Sequence, residues 1–217
     1  MVRKMKPDIS IIIPTMKRDT LQRAIDSVYD SVGVNAEVLV RYDPDVNEYV
    51  SRVKALHDAS ADIIGFLDDD ALYEPTTLKT VLPYFKDKDF VQGVVKVQGR
   101  PFAFYATAPG TACFVRKSIF DKVTYRFDIV GREPRGNSGR GWRADTMLLF
   151  DFLKVFGESR YALAEDVIIN HPENMKGFFT EDIERKFYYE YADYCDKYIV
   201  PIDPRLQMYL KKWKQGV

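Results

Sequence analysis

The stretch Ile63-Ile64-Gly65-Phe66-Leu67-Asp68-Asp69-Asp70 runs apolar to Leu67 and then carries three carboxylates together. A short apolar run bounded by polar residues reads as a buried parallel strand. Three adjacent acids at its carboxyl end are costly to ionise together unless positive charge sits among them. In an open α/β sheet that end of a strand is also where ligands bind. Asp oxygens are hard ligands that suit Mg2+ or Mn2+, and Mg2+ commonly combines one or two carboxylates with substrate phosphates. One carboxylate can hold the metal while another accepts hydrogen bonds from a ribose. The triplet also reads as a solvated turn ahead of Pro75, but its place after a buried strand favours the metal.

Outward from this stretch, the first half of the chain alternates strand and helix. Ile9 to Ile13 is a β-branched strand ending at Pro14, and Thr20 can cap a helix running to about Asp30 with Leu21, Ala24, Ile25 and Val28 on one face. Glu37 to Tyr42 reads as a second strand, Val46 to Ala59 as a helix with Tyr49, Val50, Val53 and Leu56 inward, and Asp62 to Leu67 as the third strand. Pro75 takes a favourable first-turn position for a helix reaching Phe85. This order predicts a parallel, right-handed, doubly wound sheet.

The second half has a different grain. Phe90 to Val97 and Phe102 to Thr107 are strand-like, with a hairpin expected at Gly99-Arg100-Pro101. Gly110 to Val115 reads as another strand, followed by a short helix near Lys117 to Lys122. Between Gly131 and Gly141, four glycines and three arginines without apolar periodicity predict a mobile loop. A helix from about Ala144 to Phe156 ends at Gly157, and Val167 to Ile169 is a short strand broken by His171-Pro172. The tail shows helical stretches near Glu181 to Lys197 and Arg205 to Lys214, divided by Pro201 and Pro204.

A length of 217 residues suits one α/β domain, alone or with an appendage. Lys and Arg number 32 and Asp and Glu 32, a balance that argues against nucleic acid as the main partner. Cys113 and Cys195 are the two cysteines; neither has metal-like or redox-like spacing, so a reducing cytoplasm is expected. No run approaches the roughly 18 apolar residues that span a bilayer. The basic start, Met1 to Lys6, precedes an apolar stretch too short for a signal peptide. In the tail, Phe187, Tyr188, Tyr189, Tyr191, Tyr194 and Tyr198 interleave with acids, and Tyr209, Lys211, Lys212, Trp213 and Lys214 form a basic aromatic end. Such a segment can lie on a membrane surface near a lipid-linked acceptor, pack against a second subunit as in a homodimer, or simply cover the sheet.

Other residues carry weaker chemical signals. Pro14 and Thr15 end the first strand and lead into Lys17 and Arg18, a place that can cradle a phosphate or base. Asp43 can accept from a base or ribose, though an Asp-Pro turn explains it equally well. Arg52 and Lys54 can pair with phosphate or stand as solvated helix charges. Asp145, at the start of the Ala144 helix, can deprotonate an attacking hydroxyl or serve as a favourable helix-terminal charge. His171, just after a strand, can complete a metal site begun by distant carboxylates, whereas His57 lies inside a predicted helix.

Taken in order, these segments resemble a family 2 glycosyltransferase with the GT-A fold. Ile9 to Thr15 is similar to that family's opening strand, Leu21 to Val28 to its first helix, and Ser51-Arg52-Val53-Lys54-Ala55-Leu56 to its Ala-Arg-Asn segment. Phe66-Leu67-Asp68-Asp69-Asp70 looks like the Asp-x-Asp motif, Gly110 to Lys117 like the acceptor-side strand, and Trp142-Arg143-Ala144-Asp145 like the Glu-Asp element. The resemblance covers Ile9 to His171; small stand-alone members of this kind also occur in archaeal viruses. It departs from the pattern at Ala144, where the family has Glu, at Val53, where it has Asn, and at Tyr42-Asp43, where paired acids are usual.

The resemblance implies an α/β GT-A domain over residues 1–176, with a nucleotide-sugar half at 1–98 and an acceptor half at 99–176. The central sheet would be mostly parallel, the acceptor side partly antiparallel, and residues 177–217 a helical extension. It implies Asp68 at ribose or metal, Asp70 at metal, His171 as a further metal or diphosphate contact, and Asp43 and Arg52 with Pro14 and Thr15 around the nucleotide. It implies Mn2+ or Mg2+, a UDP- or GDP-sugar donor, a glycan, protein-linked or lipid-linked acceptor, and Asp145 as the base of an inverting displacement. The loop Gly131 to Gly141 would close over the donor. A sugar-phosphate nucleotidyltransferase would share the carboxylates, but needs a glycine-rich phosphate loop that Ile13 to Arg18 lacks. A non-catalytic nucleotide-sugar-binding module is the other alternative, with Ala144 as the mark of a decayed site.

Overall fold

The computed structural model describes residues 6–97, 99–102, 110–132, 143–171 and 180–214. In chain order its strands are β1 (Ile9–Pro14), β2 (Ala36–Arg41), β3 (Ile63–Phe66), β4 (Leu72–Tyr73), β5 (Phe90–Val97), β6 (Arg100–Phe102), β7 (Cys113–Arg116) and β8 (Tyr161–His171). Its helices are α1 (Leu21–Tyr29), α2 (Glu48–Asp58), α3 (Thr77–Val81), α4 (Phe127–Val130), α5 (Ala144–Phe156), α6 (Glu181–Glu190), α7 (Ala192–Tyr194) and α8 (Pro204–Lys214).

All eight strands form one sheet in the order β2-β1-β3-β7-β5-β8-β4, with β6 paired to β5. β1 pairs in parallel with β2 and β3, and β5 with β8, while β7 runs antiparallel between β3 and β5. β1, β2, β3, β5 and β8 therefore point the same way and open their carboxyl ends along one edge. That edge is where an α/β sheet presents its ligand site.

The sheet buries both faces, so its inner strands read as continuous apolar runs. Ile9, Ile11 and Ile13 face the cluster that takes in Ala24 and Val28 of α1 and Leu78 and Val81 of α3. Ile12 faces the opposite cluster, with Ala55 and Leu56 of α2 and most of the apolar side chains of α5. At Gly65 an added Cβ would lie 2.7 Å from Ile11 Cδ1 and 3.0 Å from Phe114 Cδ1, so a side chain there would have to displace the packed side chains of β1 and β7.

Several elements differ from the sequence expectation for local physical reasons. The strand expected at Val167 to Ile169 begins at Tyr161, and its register against β5 shifts between Gln92 and Val94. A Cβ on Gly93 would lie 2.7 Å from the Val167 carbonyl oxygen, which accounts for the glycine at that irregularity. Alternation is broken across the shift, so only the end of β8 carries a strand signal. Gly110–Ala112 is a 3-10 turn rather than the start of a strand, and β7 begins only at Cys113. The helix expected from Pro75 to Phe85 divides into α3 and a 3-10 turn at Leu82–Lys86, because Pro83 has no N–H for helical bonding. The long helix expected from Glu181 to Lys197 breaks into α6, α7 and a π-type turn at Cys195–Ile199. The hairpin after β5 is present as β6, whereas positions 103–107 of the strand expected there lie outside the described residues.

The tail belongs to the main core. Phe187, Tyr191, Cys195, Ile199 and Leu206 are buried in the same cluster as Phe150 of α5. The Phe150 ring stacks on Phe187 at 5.9 Å and on Tyr194 at 5.1 Å. Burying one such ring stabilises the fold by roughly 1.5–3 kcal/mol. Most of the tail aromatics thus cover the protein itself, with Tyr189 the exposed exception. Among the described residues, no helix is long and apolar enough to cross a membrane.

Candidate functional site

The acid triplet follows β3 at the open edge of the sheet, and its three members have different surroundings. Asp70 is buried, lies 3.3 Å from Nε2 of His171 through Oδ1, and is ion-paired with Arg18. Burial raises its carboxyl, but the His171 hydrogen bond and the charges of His171 and Arg18 outweigh it and hold the group below the ordinary aspartate range. His171 ends β8, opposite Val97 of β5, so two strands far apart in sequence deliver these side chains to one point. Asp68, Asp70 and His171 each offer one atom, all within 4.8 Å of one another.

Two carboxylate oxygens and an imidazole nitrogen, gathered on rigid strand ends, fit a divalent cation such as Mn2+ or Mg2+. Asp68 stays about a third exposed, at 34 % for its side chain, yet protein surrounds its carboxyl. Enclosure and the neighbouring Asp70 raise it above the ordinary range, against the pull of Arg52. A cation between Asp68 and Asp70 would relieve that repulsion.

Asp69 turns away from this group. It accepts from Thr15 Oγ1 at 2.6 Å and from the Met16 backbone N–H at 3.2 Å, and lies 3.5 Å from Arg18. The Thr15 hydroxyl in turn accepts from the Lys17 N–H at 2.8 Å. Lys17 itself has φ +61°, left-handed for a residue with a side chain. Asp69 therefore pins the loop that leaves β1, in a backbone shape that needs outside support. Lys17 then lies over the Tyr42 ring at 4.0 Å.

Beneath the triplet lies Arg52, fully buried at 1 % exposure. Its Nη2 donates to Asp68 Oδ1 at 3.0 Å and its Nη1 to Asp145 Oδ1 at 2.9 Å. The guanidinium sits 5.1 Å from the ring centres of both Tyr49 and Phe66, and its Nε has no hydrogen-bond partner among the described residues. Burial alone would weaken its hold on its proton, but the two carboxylates and neighbouring Tyr125 push it well above its ordinary value. The sequence reading of Arg52 as a nucleotide contact or solvated charge thus meets a side chain committed to two carboxylates. Neither Ser51 nor Arg52 was among the inward positions expected, and both are buried while Val53 is only partly so.

Asp145, in the first turn of α5, is buried at 8 % exposure. Tyr125 Oη donates to its Oδ1 at 3.3 Å. Its Oδ2 faces Gly110, where an added Cβ would come within 2.6 Å of Arg52 Nη1 and closer still to that oxygen. Glycine therefore lets the carboxylate and the guanidinium pack against the backbone at this position. The adjoining Thr111 Oγ1 accepts from the Asp68 backbone N–H at 3.1 Å. Gly110, Thr111, Tyr125 and Asp69 are site residues to which the sequence reading assigned no roles. The glycine and threonine open the Gly110 to Lys117 segment that carries part of the family resemblance, whereas Tyr125 follows no pattern.

Asp43 stands apart from this cluster and pairs with Lys54 at 2.8 Å. The Lys54 hydrogen bond, opposed by burial, keeps its carboxyl below the ordinary range. Asn47 caps α2 through Val50 N–H at 3.2 Å and donates to the Gly131 carbonyl at 2.9 Å. It thereby anchors the first residue of the predicted loop; positions 133–142 lie outside the described residues.

The chain has likenesses to known proteins in one segment of sequence and in fold. Residues 47–144 match the model of Glycosyl transferase family 2, a span that holds Arg52, the acid triplet and Gly110. No curated protein matches the chain at a significant level. The fold is similar to that of S. aureus TarS 1-349 in complex with UDP-GlcNAc, at 13 % identity and a TM-score of 0.63, over 84 % of this chain and 66 % of that one. It is similar to a glucosyl-3-phosphoglycerate synthase from Mycobacterium tuberculosis in complex with Mg2+ and UDP, at 14 % identity and 0.58, over 77 % and 72 %. A mannosyltransferase from Pyrobaculum calidifontis in complex with GDP-Man and Mn2+ aligns at 12 % identity and 0.59, over 94 % and 69 %. The chain spans only 39 % of the longer S. aureus TarS structure. At these identities the likeness establishes a GT-A fold, and with the family match it supports a role in glycosyl transfer.

Proposed function

We propose that this chain is a family 2 glycosyltransferase that moves a sugar from a UDP- or GDP-sugar to a hydroxyl acceptor with inversion. The observation that carries the reading is the placing of Asp68, Asp70 and His171 within 4.8 Å at the open strand ends, with Asp145 joined to Asp68 through one buried arginine. Asp68, Asp70 and His171 would hold Mn2+ or Mg2+, which when bound neutralises charge on the leaving diphosphate. The similar structures with UDP-GlcNAc, UDP and GDP-Man support a nucleotide-sugar donor, and those with Mg2+ or Mn2+ support a divalent cation.

The chain's own residues supply the rest. The β1 loop pinned by Asp69, with Pro14, Thr15 and Asp43, borders the place for the nucleotide at the carboxyl ends of β1 and β2. Asp145 accepts the proton of the acceptor hydroxyl. The acceptor oxygen then bonds to the anomeric carbon as the bond from that carbon to the diphosphate breaks, and the nucleoside diphosphate leaves. One base and one displacement give inversion. Arg52 and Tyr125 keep Oδ1 occupied, which fixes the carboxylate's direction.

We assign the nucleotide-sugar half to residues 1–98 and the acceptor half to residues 99–176, acting on a glycan, protein-linked or lipid-linked hydroxyl in a reducing cytoplasm. Thermal shift with UDP-GlcNAc and GDP-mannose, each with and without Mn2+, tests donor binding. A melting temperature raised by a donor only when Mn2+ is present supports the reading. No shift across a panel of UDP-, GDP- and dTDP-sugars contradicts it.

A further inference from the structure

Two residues before Asp145, Arg143 opens α5 in the left-handed region, at φ +70°. A side chain there costs about 1–2 kcal/mol and persists only where surrounding contacts enforce it. The contacts come from the tail. Arg143 Nε lies 3.2 Å from Glu184 Oε1 of α6, and Nη2 reaches both Glu184 Oε2 at 3.4 Å and the carboxylate of Asp203. Glu184 is buried at 2 % exposure, and the guanidinium lies 5.2 Å from the Phe187 ring centre. Asp203 is itself fixed, since its other oxygen accepts the N–H groups of Arg205 and Leu206 at the start of α8. The Arg143 carbonyl then accepts from Met147 N–H at 2.8 Å, the opening bond of α5.

We propose that Arg143 is a positioning residue through which the tail helices aim Asp145. α6 and α8 hold the guanidinium, the guanidinium holds the left-handed turn, and the turn sets where the first residues of α5 begin. A shift of about 1 Å at a reacting group can cost a hundredfold in rate, so a small rotation of this turn is enough to matter. Residues 180–214 thereby become part of the catalytic apparatus, although none touches the metal-ligand set. The inference rests on the reading of Asp145 as the base.

The test measures nucleoside diphosphate release from GDP-mannose or UDP-GlcNAc with Mn2+, using R143M, R143G, R143K and D145N in the full chain. Glycine tolerates φ +70° without strain, so R143G removes the clamp while sparing the backbone. The expected result is a kcat lowered about tenfold or more in R143M and R143G, with the donor KM within about twofold and partial recovery in R143K. If R143M fails to fold, R143G decides. A folded R143G with wild-type kcat overturns the proposal. If D145N alone is inactive, the base reading survives that loss; if D145N is fully active, the base reading itself has failed.

Discussion

Arg52 and Asp145, 93 positions apart in sequence, meet through a 2.9 Å ion pair closed off from solvent. Because Arg52 also binds Asp68, this contact links the strand end that carries the proposed metal ligands to the helix that carries the proposed base. Removing the guanidinium would leave two carboxylates facing each other with nothing between them. R52M is expected to lose about 3–5 kcal/mol of stability, the usual cost of breaking a buried ion pair from one side. Urea unfolding measures it. A loss under about 1 kcal/mol would mean that the pair is solvated and carries no such weight.

Gly110 gives a sharper local test. A methyl group there must displace the Asp145 carboxylate or Arg52, since both lie inside contact distance of an added Cβ. G110A is expected to cut donor turnover at least about tenfold while the protein stays folded. Turnover and circular dichroism on the same sample check it, and unchanged turnover would show that the positions of Asp145 and Arg52 do not govern the rate.

Asp69 should separate binding from chemistry. It holds the loop after β1 and lies outside the proposed metal-ligand set. D69N keeps shape but weakens the charge-assisted bonds to Thr15 and Met16, each worth roughly 1.5–3 kcal/mol in a buried setting. The expected outcome is a raised donor KM with kcat nearly kept. Equal loss of kcat and kcat/KM would place Asp69 in the transition state instead.

Legibility in the sequence depended on whether a residue's partner was local. The strand before the acid triplet, the ends of β1 and the end of α5 were legible because apolar runs, Pro14 and Gly157 are local signals. Asp68, Asp70, His171 and Asp145 could be named as candidates from residue type and place in the order. Their mutual contacts could not, because they depend on β3 and β8 lying in one sheet with β7 and β5 between. Arg52 shows the limit most clearly. A charged residue in an amphipathic helix ordinarily faces water, and only long-range carboxylates make its burial tolerable. The full extent of β8 was hidden by the register shift at Gly93, and the tail's role by ion pairs that span 41 and 60 residues.

Glu184 supplies a pH test of the tail clamp. Burial, its largest influence, raises this carboxyl above the ordinary glutamate range although Arg143 pulls it down. A raised folded-state value gives a contribution that is fully present below the unfolded value, about 4.3, and is lost as pH rises through the folded value. E184Q cannot titrate. The stability of wild type minus that of E184Q should therefore fall as pH climbs from below about 4.3 and then level off. A difference that rises with pH over that window would show that Arg143 dominates burial at this site.

The proposed roles of Asp70 as a divalent-cation ligand and of Asp145 as the base meet their most direct test in one assay. Nucleoside diphosphate release from UDP-GlcNAc and GDP-mannose is measured, with Mn2+ or with chelator, for wild type, D70N and D145N. Wild type should release the diphosphate with Mn2+ and lose that release with chelator. D70N should lose it as well, and D145N should lose it while keeping its affinity for Mn2+. Release that persists in D145N would refute the base, and release that is the same with chelator as with Mn2+ would refute the cation site.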